Sequence, residues 1–326
     1  MEIYCFFLEP LAELPDYYQD IFMEVFTSLF TILIIVGLGI LSRRSGIFKS
    51  EHAKTLSSFV YYFGLPALFF IKLSGLDLLA LDPQLVLGSL LPTAVLLGFL
   101  LITKWLGMIK KDTFILLGLS ISFGSYAFFG IAFFETFQGG IWLDESIVGA
   151  SVLGVFGIIV TLTLLENAAQ QKKSGGFLKK IFSNPLILSI IVGVVVSLLG
   201  IDVQILSNPL RLVGQTASAI AIFVLGMFIH DRFSLTAIKK ALPYSLFRAL
   251  ILPLVAWITI RLFLPEAGDI AQFILLENGM PAAIALVVFA ERYDYQVTET
   301  AGIVSLTSIL SFVGLTAIYY LSRIGL

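Results

Sequence analysis

The chain has 326 residues, 58% of them hydrophobic and 13% charged, with a mean hydropathy of +1.00 and a formal net charge of −2. A soluble domain is about one-quarter charged, so lipid must solvate the apolar side chain that a water-soluble core of this size cannot hide. The single cysteine, Cys5, excludes an internal disulfide or a cysteine-based metal framework, and His52 and His230 are too far apart to suggest a histidine-rich metal cluster.

The first 24 residues hold six acids (Glu2, Glu9, Glu13, Asp16, Asp20, Glu24) and no base. A cleavable signal needs a basic start, so residues 1–19 are expected to form a short extramembrane segment, resting on the membrane surface through Ile3, Tyr4, Phe6 and Phe7. A helix crosses about 30 Å of hydrocarbon with roughly 20 apolar residues. Charge-free runs fall at 25–42, 55–71, 83–103, 113–134, 146–165, 181–201, 212–229 and 300–322. Two further runs, 241–260 and 270–290, are each interrupted by one charge, Arg248 and Glu277. Barrel strands would alternate and be about half as long. The expected fold class is therefore all-α integral membrane, with ten transmembrane helices.

The loops orient these spans. Arg43, Arg44, Lys49, Lys54, Lys104, Lys110, Lys111, Lys172, Lys173, Lys179, Lys180, Arg232, Lys239, Lys240 and Arg292 all fall on one side, against Lys72, Arg211, Arg261 and Arg323 on the other. By the positive-inside rule the first side is cytoplasmic and both termini face outward, in a multi-pass protein of the cell membrane. The Lys-rich stretch meets anionic headgroups of the membrane lipids, with no role for nucleic acid. It also divides the chain into residues 20–167, a linker at 168–183, and residues 184–326. Five spans in each half make the second half enter from the opposite side, the arithmetic of an inverted repeat.

In such repeats the binding site lies where helices are broken near the midplane. Spans four and nine are the broken ones. Span four carries Ser122, Gly124, Ser125 and Tyr126, with Ser125 about 20 Å along a helix started at Asp112. Span nine carries Glu277, Asn278, Gly279, Met280 and Pro281. Pro281 has no N–H, which is expected to free the Glu277 carbonyl from its helical partner. Freed carbonyls coordinate cations, and the exposed N–H groups of a half-helix attract anions.

At these residues the chain resembles the bacterial auxin efflux carrier family and, more distantly, the bile acid:sodium symporters. The resemblance rests on Gly64-Leu65-Pro66-Ala67-Leu68, Asn184-Pro185-Leu186-Ile187, Ile222-Phe223-Val224-Leu225-Gly226, and Met280-Pro281-Ala282-Ala283 through Phe289-Ala290-Glu291-Arg292-Tyr293. It implies a scaffold of spans one, two, six and seven that forms a homodimer. A mobile transport unit of spans three to five and eight to ten would move in an elevator-type cycle. The implied cargo is a small organic anion, an auxin-like weak acid or a malonate- or malate-like carboxylate. No cofactor is expected beyond a possible coupling ion, since Glu277, Asn278 and Met280 resemble the sodium-holding segment of the symporters. Two departures stand out. The carriers usually have Asn where Ser125 stands and Pro near Ala132, so Ser125 loses the amide fork and the break must rest on Gly124 and its neighbours.

Each candidate has an ordinary reading beside the functional one. Glu277 is expected to couple transport to Na⁺ or H⁺, against a carboxyl that only stabilises the crossing. Arg248, about 12 Å into span eight, either binds the anion or snorkels to the headgroups, and snorkelling is the expected role. Ser122, Ser125, Tyr126 and, by analogy alone, Ser151 could ligate substrate or ion, against serines bonded to their own helix. Pro66 is expected to kink span two. The function expected is secondary transport, against an uncoupled channel or a membrane sensor. No HExxH, GxSxG or paired intramembrane carboxylates point to an enzyme.

Overall fold

The computed structural model describes residues 16–76, 82–168, 185–232 and 235–323. The first fifteen residues of the acidic segment and residues 169–183 of the linker, with its four lysines, lie outside the described residues. The described chain is helical throughout, as a backbone in hydrocarbon must be to satisfy its own N–H and C=O groups.

Its helices are α1 (Asp16–Arg44), α2 (Ser50–Gly75), α3 (Pro83–Trp105), α4 (Lys111–Ser122), α5 (residues 126–136), α6 (Leu143–Ala168), α7 (Pro185–Leu198), α8 (Gln204–Arg232), α9 (Leu235–Phe263), α10 (Gly268–Asn278), α11 (Ala285–Tyr293) and α12 (Val297–Arg323). Among the described residues α2, α3, α6, α8, α9 and α12 are long and apolar enough to cross a membrane, and α7 is a shorter apolar helix. The pairs α4/α5 and α10/α11 are the two interrupted segments.

Helix α1 begins at Asp16, ahead of the charge-free run at 25. Apolar side chains, mostly Leu, Ile, Val and Phe, carry the helices, and prolines shape them locally. Pro66 and Pro253 each lack the N–H that would bond four residues back, and a π turn precedes each, over Val60–Gly64 and Phe247–Ile251. In the first, the Leu65 N–H reaches the Val60 carbonyl five residues behind it. The expected kink of span two is thus a widened turn leading into Pro66.

The most extensive packing joins α1 to α8, α2 to α7 and α8, α9 to α12 and α3, and α4 to α6. Gly226 allows the first of these, because a side chain there would overlap the Val36 backbone of α1. Outside this packing, Leu38, Val192, Leu198, Leu250, Leu254 and Val313 are exposed, an apolar surface for lipid. Ion pairs sit at helix ends: Arg43–Asp231 at 2.6 Å, Lys72–Asp144 at 3.0 Å and Lys240–Glu299 at 2.9 Å.

Candidate functional site

The two interruptions meet. α4 stops at Ser122, Phe123 turns extended (φ −128°, ψ 96°), and a π turn over Tyr126–Gly130 restarts the helix as α5. α10 stops at Asn278, and α11 begins at Ala285. Gly124 and Ala282 form an antiparallel bridge, in which the Ser125 N–H donates to the Pro281 carbonyl at 2.7 Å and the Ala283 N–H to the Phe123 carbonyl at 2.9 Å. The Ala282 N–H donates to Thr307 Oγ1 of α12 at 3.1 Å. Backbone groups that a break would orphan are thereby paired with one another. As expected, the first interruption forms at Gly124 and its neighbours without a proline.

The Glu277 carbonyl does not stay free, contrary to expectation. The Met280 N–H turns back onto it at 3.1 Å, so a tight turn replaces the bond that Pro281 forfeits. Arg248 takes the Met280 carbonyl and shares the Pro281 carbonyl with the Ser125 N–H.

Snorkelling of Arg248 is corrected as well. Its side chain is 1% exposed and points into the protein from the π turn of α9. Nε and Nη2 donate to the Met280 carbonyl at 3.0 and 2.8 Å, Nη2 also to the Pro281 carbonyl at 3.3 Å, and Nη1 to the Ser120 carbonyl. Ser120 lies in the last turn of α4, and Met280 just beyond α10. Carbonyls at helix C-termini have no helical partner and carry the negative end of the helix dipole. They hold a planar guanidinium better than a reach to the headgroups would. Gly124 makes room, since a side chain there would overlap both Arg248 Nη2 and the Tyr126 ring.

Glu277, in the last turn of α10, is 2% exposed. Ser89 Oγ of α3 donates to its Oε2 at 2.6 Å, while Oε1 has no partner. Gly149 of α6 lies directly against the carboxylate, which fills the space that a side chain at 149 would take. Asn278 donates from Nδ2 to the Ile274 carbonyl at 2.9 Å and leaves Oδ1 unpartnered. Ser122 Oγ lies 3.5 Å from Thr161 Oγ1, and Ser151 Oγ donates to the Ile147 carbonyl of its own helix at 2.6 Å, so neither is bonded to Glu277.

The sodium ligands implied by the resemblance do not fit this arrangement. A hard cation takes about six oxygens. Here the Met280 carbonyl accepts twice from Arg248, Ser89 occupies Glu277 Oε2, and Glu277 Oε1 and Asn278 Oδ1 are the side-chain oxygens of that set left over.

On the opposite face of the crossing lies a cavity of about 50 Å³. Tyr61 and Leu65 of α2, Ile190 of α7, Gly154 of α6 and Phe289 of α11 line it together with Phe123 through Phe128. Ser125 Oγ is buried and unpartnered there. Tyr126, Ala127 and Phe128, the first residues of α5, also line this cavity, and the first-turn N–H groups of a helix have no acceptor within it. Gly124, Ser125 and Tyr126 thus line the cavity. Asn278, Gly279, Met280, Pro281, Arg248 and Glu277 are not among its lining residues. Sequence reasoning missed Ser89, Gly149 and Thr307.

Two interrupted helices joined backbone to backbone, inside a multi-pass apolar chain, are the architecture of a solute transporter. The comparisons agree. The family described as membrane transport protein matches residues 24–176 and 171–319, and the chain belongs to it, as the auxin efflux carrier motifs imply. Similar proteins include an uncharacterized transporter of Methanothermobacter thermautotrophicus, 24% identical over 90% of this chain and 97% of its own. The uncharacterized transporter YfdV of Escherichia coli K12 is 24% identical over 91% and 97%. The uncharacterized transporter MJ1031 of Methanocaldococcus jannaschii is 22% identical over 86% and 93%. The protein is a multi-pass membrane transporter.

Proposed function

We propose that the protein carries a small organic anion by an elevator-type alternating-access cycle. The observation that carries this reading is Ser125, a buried residue with an unpartnered Oγ, at the start of α5 where the helix N–H donors begin and beside an apolar cavity. Those donors suit a carboxylate, and the walls suit an apolar body. The cavity, about 50 Å³, exceeds the roughly 10–15 Å³ that holding a single water requires, so a small polar head fits it. The body of a larger acid enters when the crossing draws away from α2 and α7.

In this reading the chain crosses the membrane ten times as two inverted five-helix repeats, with both termini outside. α1, α2, α7 and α8 form the scaffold and the homodimer surface, and α3–α6 with α9–α12 form the moving unit. Glu277, with one oxygen unpartnered and buried, is the group that takes up and releases a proton. A narrow apolar cavity favours a carrier over an uncoupled channel or a sensor. The test is thermal-shift screening of detergent-purified protein against mono- and dicarboxylates. A stabilising acid whose effect is lost in Ser125→Ala supports the reading, and a panel without effect on the wild type refutes it.

A further inference from the structure

Arg248 does more than fill space. Its guanidinium reaches the ends of both interrupted helices, bonding Ser120 in the last turn of α4 and Met280 and Pro281 beyond α10. Two helix C-termini converge on it, and each presents partial negative charge. Left alone, those carbonyls would form an electronegative cluster. The resemblance implied a sodium ion at Glu277, Asn278 and Met280, and Arg248 holds the Met280 carbonyl from two nitrogens.

We propose that Arg248 is a tethered cation built into the crossing. It occupies the carbonyl cluster where the symporter-like segment would take a free ion, and so closes the joint without one. The arrangement also separates charge across the joint. The positive guanidinium neutralises the two C-termini on one face, while the N-terminal donors of α5 remain unneutralised on the cavity face, where an anion would bind. Gly124 serves this arrangement by letting the guanidinium and the Tyr126 ring approach from either side of its missing side chain. Arg248 is therefore a positioning residue for the transport reading, on which the inference rests in part.

The test uses the full chain in detergent and three added chlorides at equal ionic strength: potassium, sodium and methylguanidinium, each at tens of millimolar. Wild-type protein is expected to melt at the same temperature in all three. Arg248→Ala is expected to melt about 5–10 °C lower in potassium, the loss that follows when a buried charged partner is removed from a chain of this size. It should recover at least half of that loss in methylguanidinium or in sodium, a cation-selective gain that a merely space-filling arginine would not leave behind. Should the alanine variant not survive purification, Arg248→Met carries the same comparison. A sodium-specific stabilisation of the wild type by several degrees would overturn the proposal, as would a purified variant indifferent to both added cations. No carboxylate enters these measurements, so they judge Arg248 separately from the anion screen.

Discussion

Gly149→Ala isolates the fit between α6 and the Glu277 carboxyl. A methyl group at 149 would lie within 3.0 Å of Cδ, Oε1 and Oε2 of Glu277 at once, while Ser89 holds Oε2 at 2.6 Å from the other side. The carboxylate is buried and cannot retreat into solvent. Overpacking of this kind costs about 1–3 kcal/mol, partly offset by the roughly 1 kcal/mol that Ala gains over Gly inside a helix. The net loss, up to about 2 kcal/mol, corresponds to a fall in Tm of up to about 4 °C. In a Glu277→Ala background the obstruction is gone and only the helix term remains, so the same substitution should raise Tm by about 2 °C. Scanning fluorimetry on the four proteins of this cycle reads the sign directly. Equal shifts in both backgrounds would show that 149 and 277 do not touch, and the buried-carboxylate geometry would be wrong.

Glu277→Gln should abolish the pH and ion dependence of carboxylate uptake into proteoliposomes, and an unchanged dependence would remove Glu277 from coupling. Thr307→Val keeps the shape of the side chain but orphans the buried Ala282 N–H, which should destabilise by about 1–3 kcal/mol and appear as a lower Tm. Tyr295, in the turn between α11 and α12, is pushed up by burial and by its bond to Asp112 at 2.8 Å. A raised value adds stability that is fully present below the unfolded pKa of about 10 and lost as pH rises beyond it. Melting temperature should therefore fall more steeply above pH 10 in the wild type than in Tyr295→Phe.

Much of this was legible because lipid imposes simple rules. Charge-free runs located the apolar segments, and Gly124 and Pro281 located the interruptions, since neither a glycine-rich turn nor an imino acid sustains a helical ladder. What failed was direction around the helix. A depth of about 12 Å says how far Arg248 sits from the end of its span, not which way it points. A π turn before Pro253 sets that, and periodicity of 3.6 carries no sign of it. The Glu277 carbonyl was misjudged for a related reason, since the loss of a bond to Pro281 was foreseeable but not the tight turn by which Met280 restores it. Ser89 escaped because serines in apolar helices ordinarily bond their own backbone, and nothing local distinguishes one that faces a carboxylate 188 residues away.

The joint between the interrupted helices is made of main-chain groups: Ser125 N–H with the Pro281 carbonyl, Ala283 N–H with the Phe123 carbonyl. Apart from Gly124, where a side chain would overlap Arg248 and Tyr126, these bonds do not depend on which side chains the joined residues carry. Position 125 can then exchange an amide for a hydroxyl, as it has relative to the carriers this chain resembles, and leave the seam intact. The consequence is evolutionary latitude. If position 125 meets the cargo as proposed, its side chain can change while the main-chain bonds of the joint stay as they are.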